Sequence, residues 1–378
     1  TRPGRSPRRG EAIDLDELLV GRDGLAATIV RAGGLLAYGQ ARLRGLASGA
    51  LPAADDGPRT LFQKIIDRHT LATADTPARL AVGEGGFVRA DRRFIHEYYT
   101  GMCAHLLHGA FGEALALHDP ASIVSFEDHL SYVHRSPVHL GQGLVGGVLA
   151  LSRAHRAFVQ RFGLRDHGYL QALEAGDAGN TGSEGISHAV MAEAYALPGQ
   201  LLVGTDSHTP HSGALGCLAF GVGTSDMASA FVTGAVRVAW PRTVRVLLQG
   251  RLAPGVTAKD AVLHLLALPF IRAGGGIGCV FEFAGEAVAQ MSVDERATLT
   301  NMTAELGGLT GIVAPDAQTL RFLRERRGID AVLEEWMCSD PDAAFDHQLD
   351  VDLSGLGPML ARPGDPGQGL AVEALEAP

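Results

Sequence analysis

The stretch GTDSHT at residues 204–209 follows a short apolar run, Gln200 to Gly204, that predicts a buried strand. Ligands of open α/β sheets bind beyond the carboxyl ends of the strands, which is where this segment falls. In an extended stretch, Asp206 and His208 point to one side and Ser207 to the other. A carboxylate beside an imidazole fixes its tautomer and raises its basicity, so the segment predicts an acid–base site. A polar loop in which the serine caps a helix is the alternative.

Predicted strands and helices alternate on both sides of this stretch. This alternation is typical of an α/β fold with mostly parallel sheets. The predicted strands are Ser122–Phe126, Gln200–Gly204, Val244–Gln249, Cys279–Phe283 and Gly311–Ala314. The predicted helices are Leu144–Phe162, Thr224–Arg237, one to Leu268 opened by a capping box at Thr257 and Asp260, one to Leu306 opened by Ser292 and Glu295, and one capped by Asp316.

The composition along the chain predicts four segments. Residues 1–57 are rich in Ala, Gly and Leu and are expected to be an N-terminal extension. Residues 58–240 and 241–356 are predicted to be two α/β domains, because the strand pattern restarts after Trp240 and Pro241. Residues 357–378, rich in Pro, Gly, Asp and Ala, are expected to be a linker-like tail.

Charge and hydrophobicity exclude several classes of protein. The net charge is −10 and the 32 basic residues are dispersed, apart from an arginine-rich start, so nucleic acid is not an expected partner. No apolar run approaches the ~18 residues of a membrane span, and no apolar segment follows the first arginines as in a signal peptide. The four cysteines have no CxxC spacing and are expected to be small buried residues in a reducing cytoplasm.

Other residues at predicted strand and helix ends could join the acid–base site. Asp128 and His129 follow a strand, and His188 ends a glycine-rich approach to a helix. Asn301 and Glu305 are four residues apart and share one helical face. A structural histidine and a solvated helical face are the alternatives. His96, His129, His188 and His208 could converge with Asp206, but no HExxH or comparable spacing supports a metal site, and none is predicted.

Taken together, the motifs resemble one family. They are DH at 128–129, GxxH ending at His188, GTDSHT at 204–209, GALG and GVGTSD within 213–226, and TNMTAELG at 300–307. In this order and spacing they resemble the aconitase superfamily, especially the large subunits of isopropylmalate dehydratase and homoaconitase, from about Leu61 to Pro358.

The resemblance implies a fold, a reaction and a set of roles. The family has three α/β/α domains around a [4Fe-4S] cluster and a fourth, swivelling domain, and it dehydrates a hydroxy acid and rehydrates the alkene. The cluster acts as a Lewis acid while paired Asp and His residues manage the proton of the hydroxyl group. By motif, Ser207 and Asn301 are the substrate-binding candidates, with His208 and Asn301 toward the cluster. The catalytic candidates are Asp128, His129, His188, Asp206, His208 and Glu305.

The sequence also departs from the family. The cluster cysteines, from a GSCTN segment and a later CxxC, do not occur, nor does the swivelling domain with its serine base and arginines. The cofactor is therefore unknown, and a [4Fe-4S] cluster is expected only if a partner chain supplies it. Where the family has a substrate-binding Gln after its HD or HE pair, His96 and Glu97 are followed by Tyr98 to Met102, so the substrate stays open.

Three hypotheses follow from these observations. The first is a split hydro-lyase for a small hydroxy carboxylic acid, with cluster and swivelling domains on partner chains. The second is a cluster-free enzyme that performs another elimination, a cyclisation or an isomerisation in specialised metabolism. The third is a non-catalytic assembly subunit. Because faces that pack on a third domain would be uncovered, we also predict a homo-oligomer or a complex with a partner chain.

Overall fold

The computed structural model describes residues 14–43, 57–73, 81–130, 133, 136–168 and 183–375. The helices are α1 (Leu15–Leu19), α2 (Gly24–Arg31), α3 (Leu35–Arg42), α4 (Leu61–His69), α5 (Glu97–Phe111), α6 (Pro137–Gly141), α7 (Val145–Phe162), α8 (Ser187–Val190), α9 (Thr224–Thr233), α10 (Ala258–Ala267), α11 (Pro269–Arg272), α12 (Glu286–Gln290), α13 (Val293–Asn301) and α14 (Ala317–Arg327). The strands are β1 (Thr70–Leu71), β2 (Gly85–Arg89), β3 (Arg92–His96), β4 (Ile123–Phe126), β5 (Arg165–His167), β6 (Leu201–Gly204), β7 (Leu218–Gly221), β8 (Ala235–Ala239), β9 (Thr243–Gln249), β10 (Val280–Ala284), β11 (Thr310–Val313), β12 (His347–Asp352), β13 (Met359–Ala361) and β14 (Gly369–Ala371).

The first unit is built on a five-stranded sheet in the order β5-β4-β3-β6-β7, in which every pair is parallel. Successive residues of a strand point to opposite faces, and here both faces are buried. Ile95 and Val203 pack with α4, α5, α7 and α9 on one face. Phe94 and Leu202 pack with residues 191–196 and 214–217 on the other. The predicted α/β fold with three layers and mostly parallel sheets is confirmed.

The second unit is a four-stranded parallel sheet in the order β11-β10-β9-β12. Residues of α10, α12 and α13 cover its apolar positions in a separate hydrophobic core. The capping boxes at Thr257 and Ser292 and the cap at Asp316 occur as predicted. The bounds of the domains remain a prediction, since the sheets agree with a division near residue 240 without defining it.

Two predicted helices end earlier than the sequence pattern indicates. The helix expected to reach Arg237 ends at Thr233, because Gly234 has a left-handed φ of 73°. The following residues form β8, which pairs with β2 in a separate antiparallel sheet. The helix expected to reach Leu306 ends at Asn301, and residues 302–307 form turns instead. These turns matter for function because they redirect Glu305.

Several elements lie where the sequence predicts little structure. The central strand of the first sheet, β3, is missing from the prediction, since its arginines and its histidine conceal a buried strand. Part of the predicted extension, where the sequence pattern indicates one or two helices, forms three, α1 to α3. In the tail, β13 and β14 form an antiparallel pair, and the backbone N–H of Met359 donates to Asp260 at 2.7 Å. Residues 1–13, 44–56 and 376–378 lie outside the described part of the chain.

The two units meet along the 3₁₀ segment Thr209–Leu215, which packs against α13 and β11. The approach is close, since a Cβ added to Gly213 would lie 1.9 Å from the carbonyl oxygen of Gly311. The hydroxyl of Thr300 donates to the carbonyl of His211 at 3.2 Å. The GTDSHT segment and the end of α13 are thereby held next to each other. Within the described residues, no helix combines the length and apolarity that crossing a bilayer requires.

Candidate active site

The candidate residues of the first unit extend from the carboxyl ends of three adjacent parallel strands. Asp128 and His129 follow β4, and Asp206 to His208 follow β6. His96 is the last residue of β3, and Glu97 is the first residue of α5. Because parallel strands end at the same edge of a sheet, these side chains converge there. The edge is therefore polar, while the three strands beneath it are almost entirely buried.

The carboxylate of Asp206 lies at the centre of the cluster. One of its oxygens, Oδ2, is 2.9 Å from Nε2 of His129. The other, Oδ1, is 3.2 Å from Nε2 of His188 and 3.4 Å from Nδ1 of His208, and it accepts the backbone N–H of His208 at 2.7 Å. One carboxylate thus contacts three imidazoles that the sequence places at separate points of the chain.

A second carboxylate holds the far side of His129. Oδ1 of Asp128 is 2.8 Å from Nδ1 of His129, and Oδ2 accepts the backbone N–H of Ser187 at 2.6 Å. Asp128 therefore links the His129 ring to the segment that carries His188. The carboxylate of Glu97, which the sequence analysis did not select, accepts the backbone N–H groups of His129 and Leu130 at 2.9 and 2.7 Å.

The second unit contributes Glu305 and Asn301. Oε1 of Glu305 lies 3.0 Å from Nε2 of His208, so this imidazole bridges the two units. The amide nitrogen of Asn301 is 3.4 Å from Nδ1 of His211, and the hydroxyl of Ser207 is 3.2 Å from Nδ1 of His208. All eight candidate residues are thus brought to one place, although their roles remain predictions.

These contacts change the protonation of the imidazoles. Hydrogen bonds that the ring donates to Asp128 and Asp206 raise the pKa of His129 to about 10. Hydrogen bonds that the ring donates to Asp206 and Glu305 raise the pKa of His208 to about 10. Both rings are therefore doubly protonated and positively charged at neutral pH.

The carboxylates shift in the opposite direction. Burial raises the pKa of Asp206, but hydrogen bonds from His129, His188 and His208 outweigh it, and the pKa falls well below its usual range. Burial likewise opposes the hydrogen bonds of His129 and Ser187 to Asp128, whose pKa falls to about 2. Asp128 and Asp206 are therefore ionised throughout the physiological range.

His96 and His211 lie beside the cluster and differ from the other imidazoles. Burial lowers the pKa of each to about 4, so both are neutral. The His96 ring stacks on His129 with 3.8 Å between centroids and 10° between planes, and neither of its nitrogens has a hydrogen-bond partner among the described residues. His211 was missed by the sequence analysis because it lies in a 3₁₀ segment with no recognisable spacing.

A cavity of about 670 Å³ opens above the cluster, between the two units. From the first unit it is lined by the acid–base residues and by Ile186 and His211. From the second unit Lys259, Asp294, Thr298 and Asn301 face the same space. Lys259 is exposed and places a positive charge on the wall opposite the imidazoles.

Donor atoms of His96, His129 and Asp206 lie within 4.8 Å of one another, which raises the question of a metal ion. Imidazole nitrogens bind metals in the plane of the ring, and two parallel rings stacked at 3.8 Å cannot both point at one ion. Both nitrogens of His129 are also hydrogen-bonded to carboxylates. The geometry of these three residues therefore does not support a metal site.

The cysteines do not fit the [4Fe-4S] cluster that the sequence resemblance implies. Such clusters are held by cysteine thiolates. Cys103, Cys217 and Cys279 are buried in three different hydrophobic cores, and none of the four cysteines lines the cavity. Cys338 is exposed, which corrects the expectation that all four are buried. Cysteine ligands for a cluster are therefore not supplied by these 378 residues.

Comparison with known proteins identifies relatives over most of the chain. The probable 3-isopropylmalate dehydratase large subunit of Methanothermobacter thermautotrophicus is 35% identical over 301 residues, which cover 79% of this chain and 64% of that protein. The 3-isopropylmalate dehydratase large subunit of Roseiflexus castenholzii is 34% identical over 331 residues, which cover 84% of this chain and 65% of that protein. The chain thus spans slightly less than two thirds of the length of these relatives.

A solved structure and a family model were also matched. The match to the holo-form of aconitase X from Thermococcus kodakaraensis covers 71% of this chain and 58% of that chain, at 9% sequence identity. Its TM-score of 0.35 is too low to bear on the fold. The model of the aconitase family (aconitate hydratase) matches residues 63–378, which include both sheets and all eight candidate residues. The chain therefore belongs to the aconitase family.

Proposed function

We propose that this chain is the acid–base component of an aconitase-type hydro-lyase, which dehydrates a small hydroxy carboxylic acid and rehydrates the alkene. The observation that carries the proposal is the contact of Asp206 with His129, His188 and His208 at the base of the cavity. The family match and the isopropylmalate dehydratase relatives support the same reaction class.

Elimination of water needs a proton on the leaving hydroxyl. The C–H bond next to the carboxylate breaks and its electrons form the double bond, while the C–O bond breaks and its electrons leave with the oxygen. A protonated imidazole can donate to that oxygen, so that water departs, and the reverse transfer serves hydration. His129 and His208 are protonated and supported by carboxylates, which suits them to this step. By resemblance, the base that takes the carbon proton belongs to the swivelling domain.

The lining of the cavity favours an anionic substrate. Lys259 and the protonated His208 face it from opposite units and attract carboxylates. Asn301 faces the same cavity with a neutral amide, whereas Ser207 lines a separate cavity of about 380 Å³ that Asp206 also lines. We assign these two side chains to substrate binding, and a cavity of about 670 Å³ has room for a small acid.

The proposal includes partner chains. The relatives are named large subunits, which suggests a smaller subunit that completes the enzyme. Because the cysteines of this chain do not fit a [4Fe-4S] cluster, we place the ligands of any such cluster on another chain or domain. A homo-oligomer is the alternative to a partner chain, because a second copy of this chain could cover the face that would pack on a third domain.

The test is the iron and acid-labile sulfide content of the untagged protein, purified without oxygen from its own host together with its partners. Near-stoichiometric cluster on a co-purifying chain, with dehydration of hydroxy acids by the complex, is the expected result. Absence of iron and sulfide, in a preparation that is still active, would overturn the split hydro-lyase. A stable monomer without a partner would contradict the assembly.

The second candidate is a cluster-free member of the family that performs another elimination, a cyclisation or an isomerisation. The positions of the four cysteines favour it, since none lies at the cavity. Such an enzyme would need a substrate with a better leaving group or a more acidic proton. Both candidates require Asp206 and His208, whereas a non-catalytic assembly subunit would keep its function when either residue is replaced.

A further inference from the structure

His167 lies outside the cavity, yet it contacts both ends of the segment that carries His188. It is the last residue of β5, it is only 6% exposed, and its ring stacks on Phe126 with 5.4 Å between centroids. Its Nδ1 is 2.5 Å from Oε2 of Glu184, four residues before His188. Its Nε2 is 2.5 Å from the hydroxyl of Tyr195, seven residues after it.

The hydrogen bonds form a chain with one consistent direction. Nε of Arg165 donates to the hydroxyl oxygen of Tyr195 at 3.2 Å, which leaves the Tyr195 proton to be donated to Nε2 of His167. Nδ1 of His167 then donates to the carboxylate of Glu184. Both ring nitrogens of His167 therefore have a hydrogen-bond partner, which holds the ring in a fixed position.

His188 needs such support more than the other two imidazoles around Asp206. His129 is also held by Asp128, and His208 by Glu305. Nδ1 of His188 is buried and has no hydrogen-bond partner among the described residues. Phe94 and His211 contact this ring only by packing, so the direction of its hydrogen-bonding nitrogens depends largely on its own backbone.

The backbone around His188 is short and irregular. The four-residue α8 continues directly into the π-helical turn Met191–Tyr195, which includes the tyrosine that contacts His167. On the other side, the N–H of Ser187 donates to Asp128 at 2.6 Å. A shift of this segment would therefore displace both His188 and Asp128.

We propose that His167, with Glu184 and Tyr195, is a positioning residue that clamps residues 184–195 and thereby sets His188 and Asp128 against Asp206. This inference rests on the proposed function only for its effect on rate, because the clamp itself is a property of the fold. A misplacement of about 1 Å at a reacting group can lower a rate by about 100-fold, so the clamp would affect turnover without touching substrate.

Hydrogen–deuterium exchange of the full chain tests the clamp with three substitutions, which distinguish its contact at Glu184 from its contact at Tyr195. We expect Glu184→Ala to raise exchange at residues 185–189 and Tyr195→Phe to raise it at residues 190–196, each by about five-fold, the effect of one lost hydrogen bond. His167→Phe, which retains a ring against Phe126, should raise exchange on both sides. The control is Tyr38→Phe, which removes a tyrosine hydroxyl beside Phe87 and should leave residues 184–196 unchanged.

Kinetics then test positioning. In the active assembly His167→Phe should lower kcat by about 10- to 100-fold with little change in KM. Unchanged exchange at residues 184–196 in all three variants would overturn the clamp. Raised exchange with unchanged kcat would overturn the positioning role.

Since exchange needs no substrate, an inactive protein that shows the expected exchange would count against the proposed function and not the clamp. If His167→Phe does not fold, the exchange and the kcat of Glu184→Ala and Tyr195→Phe test the clamp in its place.

Discussion

At the scale of single residues, Asp206 is the centre of the hydrogen-bonded cluster. Its two oxygens contact three imidazoles, and its ionised form is stabilised by each of them. A carboxylate in this position can keep His129 and His208 protonated without taking the proton itself. The pattern of one acid among several bases could not be read from GTDSHT alone, since His129 and His188 come from distant parts of the chain.

Replacing Asp206 by Asn should reduce activity strongly. The amide keeps the size of the side chain but removes the charge that holds the protons on His129 and His208, so we expect a loss of about 10²- to 10⁴-fold in kcat. The measurement is the ultraviolet absorbance of the alkene during dehydration by the purified assembly. Asp350→Asn, at an exposed position of β12, is the control and should retain full activity. Comparable rates for both variants would contradict a catalytic role.

Stability should depend on pH through the same histidines. The pKa of His129 and of His208 is raised from 6.5 to about 10 in the folded chain. Their contribution to the free energy of unfolding is therefore fully present below pH 6.5 and is lost as the pH rises through 10. Chemical denaturation from pH 6 to 10.5 should show the stability advantage of the unsubstituted protein over Asp206→Asn shrinking steadily. A constant difference would indicate that these imidazoles are not charged.

At the scale of elements, the turns after α13 and the segment Thr209–Leu215 matter most. If α13 continued to Leu306, as its sequence pattern predicts, the direction of Glu305 would differ. The helix ends at Asn301, where the N–H of Met302 donates to the carbonyls of Thr298 and Thr300. The turns that follow bring the carboxylate of Glu305 within 3.0 Å of His208. Contact with the other unit thus outweighs local helix propensity.

The close contact at Gly213 gives an element-scale prediction. A Cβ at this position would meet the carbonyl of Gly311, so Gly213→Ala should cost about 3 kcal/mol or more of unfolding free energy. Gly141→Ala in α6 is the matched control, because nothing lies within 4 Å of its Cβ and alanine favours a helix by about 0.5 to 1 kcal/mol. Urea denaturation of both variants measures the difference. Equal stabilities would mean that the two units do not approach as described.

At the scale of the whole molecule, each of the two units has its own parallel sheet and core. The cavity lies between them, and residues from both line it. We propose residue 240 as their boundary and residues 357–378 as a linker-like tail, part of which packs as a hairpin near α10. Partner chains would complete the site from the open side of the cavity.

Thiol reactivity tests the placement of the cysteines. Only Cys338 is exposed, and burial raises the pKa of the Cys103 thiol to about 12. With an aromatic disulfide reagent, the native chain should release one equivalent of thiolate, and the denatured chain all four. Cys338→Ser should remove the native signal. Three or more reactive thiols in the folded chain would contradict the burial and reopen the question of cluster ligands on this chain.

The sequence by itself determined the family, the α/β class and the eight candidate residues, because motifs, capping boxes and apolar runs are local in the chain. It did not reveal β3, the early ends of α9 and α13, or the contacts of Glu97, His167 and His211. Those depend on contacts between residues far apart in sequence, such as the pairing of β3 with β4 and β6 or of His167 with Glu184 and Tyr195. Only the tertiary structure decided that one carboxylate would join three imidazoles, because the parallel strands end at one edge and the second unit closes over it.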